Sequence, residues 1–204
     1  MNNSMVLSEE KINSNFVRWI DCLEKYNCYS QEMIDDIGEK IKNASFAMNE
    51  NTGGAYQGSL LDVVLSKLCV IAIHINDCAF GPNPNSKIQH PELLVDKNSL
   101  MKVLLLQHIS KAELYVSTKE NWKINKGFLY DFNDNLETSL KLGERSIYLC
   151  MKYGIKLTEE EYDAMRIVDK DEDKNNSYVT PLAELVKVAN QLTCIEIYRK
   201  YNKK

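Results

Sequence analysis

The run LLDVVLSKLCVIAIHI, residues 60–75, limits the folds open to this chain more than any other stretch. Its apolar residues fall on nearly every side of a helix, so a helix made from it must be enclosed by other elements. It is shorter than the roughly 20 residues a membrane span requires, and Asp62, Lys67 and His74 interrupt it. The expectation is therefore a buried central helix from about Ser59 to Cys78, with His74 as a hydrogen-bonded core histidine and no membrane partner.

The neighbouring segments are patterned to supply that enclosure. Ser8 is an N-cap, followed by Glu9 and Glu10 at the positive end of the dipole. Ile12, Phe16, Trp19, Ile20 and Leu23 then form one apolar face at helical spacing. A second amphipathic helix follows Ser30, with Met33, Ile34, Ile37 and Ile41 on one side. NENTGGAYQGS, residues 49–59, is a turn-rich loop, and FGPNPNSKIQHPELL is a second loop that includes His90. Another helix is expected from about Lys97 to Ser110.

Between Glu113 and Phe132 the pattern changes. ELYVS and FLYDF are short and aromatic, separated by polar residues ending in Lys126-Gly127, which predicts a small β-hairpin excursion around 113–132. Helix resumes from about Leu136 to Tyr153, stopped by Gly154. Thr158 with Glu161 forms a capping box. DKDEDKNNS, residues 169–177, is a charged loop without the central Gly and closing Glu of an EF-hand. Thr180 caps a last helix with Pro181 in its first turn and apolar positions at Leu182, Leu185, Val186, Ala189 and Leu192. The fold class is mainly α: a single helical bundle over 1–204, in which N-terminal helices (1–48) pack on a core at 53–198.

Composition narrows function by exclusion. A net charge of −4 over 204 residues gives no electrostatic reason to expect a nucleic-acid partner. The six cysteines lack Cys-x-x-Cys spacing, which excludes a zinc ribbon. Cys69, Cys150 and Cys194 read as small core hydrophobes. The N-terminal residues show no signal-peptide pattern, so a cytoplasmic setting with reduced thiols is expected.

Four places, in order, resemble the HD-domain family of phosphohydrolases from about Gly53 to Tyr198. GGAYQGSLLDVVL is similar to the Gly-rich entry into the helix with the first metal-binding His. LLLQHISK is similar to the helix and turn carrying the His-Asp pair and a trailing Lys. GERSIYLCMKYGIKLTEEEYDAMRIVDKD resembles the next two helices, and ELVKVANQLT the last, which in the family presents an Ala-Asp step. The resemblance places the first His at Val63, the His-Asp pair at Gln107 and His108, the later His pair near Val168-Asp169, and the final Asp at Asn190.

Every expected metal ligand has therefore departed from the pattern. Val has no lone pair, and Gln and Asn are neutral, weak ligands. One His does not make a metal site, and without metal no bound water of lowered pKa exists. Asp62 sits about 100° round the helix from Val63 and points elsewhere. A site rebuilt from His108, Asp169 and Glu144 has no supporting spacing. The resemblance thus implies a pseudoenzyme: no metal, no cofactor and no catalytic residue.

What remains is read in three ways. In the first, Gln107, His108, Lys111, Tyr115, Tyr130, Arg145 and Asn190 line a pocket for a phosphate-bearing small molecule such as a nucleotide. The second keeps an active metal-dependent phosphohydrolase with non-standard ligands. The third is a protein-interaction scaffold that docks through the β excursion and its aromatics, the old cavity being vestigial. An open pocket lined by Lys111 and Arg145 would favour the binder. A ligand-free pocket blocked by side chains would favour the scaffold, and Gln107, His108 and Asn190 hydrogen-bonded to one another as a polar knot would close the site without any functional role. A homo-oligomer is left open.

Overall fold

The computed structural model describes residues 6–80, 91–169 and 179–202. It is 67% helix and 5% strand, which makes the fold mainly α with a small antiparallel hairpin. The expected loops at 81–90, with His90, and at 170–177 lie outside the described residues.

The N-terminal helices begin where their caps predict. α1 (Glu9–Lys25) starts after Ser8, whose Oγ accepts from the Lys11 N–H at 3.2 Å. Ile12, Trp19 and Leu23 are buried and Phe16 and Ile20 half-buried against the core. The Trp19 indole N–H donates to the Leu105 carbonyl at 3.2 Å, so the largest apolar side chain also fixes the height of α1. α2 (Gln31–Asn43) starts after Ser30, which accepts from the Met33 N–H and donates to the Tyr153 carbonyl at 2.9 Å.

The apolar run becomes one continuous helical rod, Ser59–Cys78. It consists of α3 (Ser59–Val63), a π-helical stretch at Val64–Leu68, α4 (Cys69–Ile75) and a second π-helical stretch. At 20 residues and mean hydropathy 1.7 the rod is long and apolar enough, by length and composition alone, to cross a membrane, and 56% of that window is buried among the other helices. Its bounds are those the sequence predicts. Gly58, at φ +74°, lets the rod start against α1: a Cβ there would sit 2.7 Å from Ile12 Cγ1. His74 is exposed on the rod, 3.5 Å from Cys78 Sγ, and is not the core histidine expected.

α5 (Lys97–Leu106) is capped by Asp96 and buries Leu100, Met101 and every residue from Val103 to Leu106. It ends at Leu106, four residues before the expected Ser110. The Gln107 carbonyl is taken by the Ser146 hydroxyl at 2.8 Å, and the Ser110 N–H donates to Ser146 Oγ at 3.3 Å. With those groups diverted, the chain proceeds through tight turns into α6 (Lys111–Leu114).

The expected hairpin is present: β1 (Tyr115–Ser117) pairs antiparallel with β2 (Tyr130–Phe132), Tyr115 opposite Phe132. A short helix, α7 (Asn121–Asn125), fills the connection. Leu129 and Tyr130 both donate to the Met48 carbonyl, tying the hairpin to the 44–58 loop.

α8 (Leu142–Lys152) begins six residues later than expected. The segment before it is held off the helix by Arg145, whose Nη2 binds the Thr138 carbonyl at 2.9 Å, and by Glu144, which accepts the Lys141 N–H. Gly154, at φ +69°, ends the helix; Ile155 donates back to Cys150 at 2.8 Å. α9 (Glu159–Arg166) carries the Thr158–Glu161 capping box, and Glu161 also receives Lys102 at 2.8 Å in a buried ion pair.

α10 (Pro181–Asn202) starts with Thr180 Oγ1 accepting from Ala183. It packs on α9, α4 and α5 through Leu182, Leu185, Val186, Ala189 and Ile197. Leu192 and Cys194, expected in the core, are exposed. The core stripe shifts instead onto Thr193 and Ile197, because α10 is rotated to deliver Asn190 inward. One buried cluster runs from Trp19 through the rod, α5 and α8 to Ile197.

Candidate functional site

The turn after α5 places Gln107 and His108 opposite Asn190 on α10. His108 Nε2 lies 3.0 Å from Asn190 Oδ1, and Asn190 Nδ2 donates to Gln107 Oε1 at 3.0 Å. Asn190 spends its acceptor on His108 and its donor on Gln107, so His108 carries its proton on Nε2. Gln107 is completely buried and His108 nearly so. His108 Nδ1 and Gln107 Nε2 have no hydrogen-bond partner among the described residues. Burial, and then the neighbouring Lys111 charge, hold His108 well below its ordinary pKa of 6.5, against a smaller upward pull from Asn190. This imidazole is neutral at physiological pH.

Lys111 is buried beside that triplet, at the first position of α6. Its ammonium donates to the Phe46 carbonyl at 2.6 Å and lies 3.6 Å over the Phe46 ring, with the Tyr115 ring 5.9 Å away. No carboxylate among the described residues pairs with it. Burial brings its pKa down from 10.5 to about 7. The His108 ring packs edge-on against the same Phe46, centroids 5.3 Å apart.

Phe46 is the residue that sequence reasoning missed. It lies three residues before the turn-rich loop, and its place follows from Ser59, whose Oγ accepts the Phe46 N–H at 2.8 Å and donates to the Gly54 carbonyl at 2.6 Å. Gly54, at φ +79°, holds the loop beside the Phe46 ring in a backbone conformation that residues with a Cβ rarely adopt. The paired glycines of NTGGAYQGS marked a special backbone, but nothing in the string indicated which side chain it would turn inward.

The other expected site residues are differently engaged. Arg145 is buried, pairing with Glu113 at 3.3 Å and holding Thr138; none of these bonds reaches Lys111 or the triplet. Tyr115 packs edge-on against Phe132, centroids 5.7 Å apart. Tyr130 is half-buried, and its backbone N–H donates to the Met48 carbonyl. Tyr115 and Phe132 line a groove of about 860 Å³ between the hairpin and the segment leading to α8.

These residues do not fit a divalent metal. Val63, where the resemblance would place the first His, is packed in the core. Asp62 is turned to Asn15 and Tyr56, which donate to it at 3.2 and 3.1 Å. Among the described residues no group of three His, Cys, Asp or Glu gathers as a metal cage. Nor are the core thiols poised as nucleophiles, since burial pushes Cys28, Cys69 and Cys150 up to about 12.

Compared with known proteins, the chain matches no family model, no curated protein and no solved structure.

Proposed function

We propose that this chain is a non-catalytic, HD-like interaction scaffold, in which a neutral hydrogen-bonded knot stands where the family holds metal. The observation that carries this reading is the closure of Gln107, Asn190 and His108 on one another, with Lys111 sealed beneath Phe46. Such a cluster rigidifies a core and leaves no water-activating group. Support for docking comes from the hairpin region, which exposes Trp122 and Phe132 at 56% each, with Val116, Ile124 and Phe128 nearby in sequence. Exposed aromatics grouped on one excursion favour protein contact.

A second reading, a binder of a phosphate-bearing small molecule, has one observation in its favour. Lys111 is a buried amine without a carboxylate, and an anion would satisfy it. Calorimetric titration with ATP, GTP and inorganic pyrophosphate, with and without Mn²⁺, separates the two. The scaffold gives no binding heat and no phosphate release. Saturable heat abolished by Lys111→Met would replace it with the binder, and metal-dependent phosphate release would restore the phosphohydrolase. In parallel, proteins cross-linked to the wild-type chain are compared with those cross-linked to Trp122→Ser/Phe132→Ser. A partner lost with the double variant supports docking at the hairpin; an unchanged set removes that surface.

A further inference from the structure

We propose that the outer face of α10 is a self-association surface on which a second copy of this chain packs its own α10 antiparallel to the first. The inner face of this helix is already committed to the core through Leu185, Val186, Ala189 and Ile197. Yet Val188, Leu192 and Ile195 form a second apolar line, exposed at 39%, 42% and 47%. Their spacing, four residues and then three, keeps them on one stripe along the helix. A second apolar line roughly 120° round the helix from the first marks a surface that a partner can cover.

The neighbouring rod widens this surface. Lys67 is ion-paired with Glu196 at one end, while Ile75 shares an apolar cavity with Leu185 and Val188 at the other. The rod therefore runs antiparallel to α10, which brings Val70, 57% exposed, level with Leu192.

Charge placement selects the occupant and its direction. Glu184 lies one turn before Val188 and Arg199 one turn after Ile195, both exposed on the side of the stripe. The two are symmetric about the midpoint between Gln191 and Leu192. An antiparallel copy therefore sets Val188 against Ile195 and Glu184 against Arg199 of the second molecule, twice over by the two-fold axis. A parallel copy would oppose like charges at both ends.

Sedimentation velocity of the full chain across a concentration series tests this. The wild type is expected to be a reversible dimer, and Leu192→Glu to weaken it at least tenfold with an unchanged circular-dichroism melt. Glu184→Arg and Arg199→Glu should each weaken the dimer several-fold, and the double charge swap should recover wild-type association. The two residues are about 22 Å apart along one helix, so recovery cannot arise within a monomer. A wild type still monomeric at about 100 μM, far above the Kd of a specific dimer, overturns the proposal. So does a dimer indifferent to Leu192→Glu, or a double swap no better than either single change.

Discussion

Lys111 directs its ammonium at the Phe46 carbonyl, 2.6 Å away, while lying over the ring of that same residue. One loop residue thus supplies both contacts of a buried cation. Lysine is usually paired with a carboxylate when buried this deeply. Burial, with no carboxylate to offset it, brings its pKa down to about 7.

The pH dependence of stability should carry this signature. Between about 7 and its ordinary 10.5, the unfolded chain holds a proton on Lys111 that the folded chain has shed. Stability therefore rises with pH there, with a slope of up to about 1.4 kcal/mol per unit. Above 9.0 the buried Cys28, Cys69 and Cys150 oppose it, because their unfolded thiols ionise first. Urea unfolding between pH 7 and 8.5 should show the rise in wild type and a flat line in Lys111→Met. A rise of the same slope in both would remove Lys111 as its source.

His108 gives the matching behaviour on the acid side. Its folded pKa lies well below 6.5, so stability is full above 6.5 and falls as the unfolded imidazole takes up a proton below it. His108→Gln should flatten the profile between pH 5 and 6.5, read in the same unfolding series.

Asn190 is the hinge of the polar knot. Asn190→Ala leaves the His108 N–H and Gln107 Oε1 buried without a partner, at a cost of about 2–4 kcal/mol for the two together. Asn190→Asp should cost less at pH 6 than at pH 8, because a protonated His108 would then face a carboxylate. Denaturant midpoints at the two pH values measure both effects.

Gly58→Ala tests the entry to the rod. The substitution imposes a left-handed conformation on a residue with a Cβ and drives that Cβ to 2.7 Å from Ile12 Cγ1. A loss of about 1–3 kcal/mol is expected. Ile12→Ala in the same background should recover the steric part; no recovery would place the whole effect in the backbone.

The HD-like alignment has its own test. Val63→His, Gln107→His, His108→Asp and Asn190→Asp together restore the family's ligands at the corresponding positions. The variant should gain affinity for Mn²⁺, seen by calorimetry and by a metal-dependent rise in melting temperature. A folded variant with no gain means the positions are misassigned.

Local rules made much of the fold legible. Ser8, Ser30, Thr158, Thr180 and Gly154 marked helix ends because a cap satisfies backbone groups within four residues of itself. The faces of α1 and α2 followed from one-sided apolar spacing. The hairpin followed from two aromatic runs around a polar connection. Errors arose where a distant residue diverted the backbone. Ser146 takes the Gln107 carbonyl and ends α5 early, and Arg145 holds Thr138 and delays α8.

Side-chain placement divides in the same way. The sequence by itself determined that this chain is helical, that the 60–75 run has apolar residues on nearly every side, and that Val63 has no lone pair for a metal while Gln107 and Asn190 offer only neutral, weak ligands. Those conclusions rest on chemistry each residue carries wherever it lies. Only the tertiary structure decided that Asn190 closes on Gln107 and His108, that Phe46 covers Lys111, and that Leu192, Cys194 and His74 face outward. Apolar residues are spread around α10 and the rod, so periodicity left their rotation undetermined. It was set by the partners that Asn190 found in the turn after α5 and Lys67 found on α10, contacts between residues far apart along the chain.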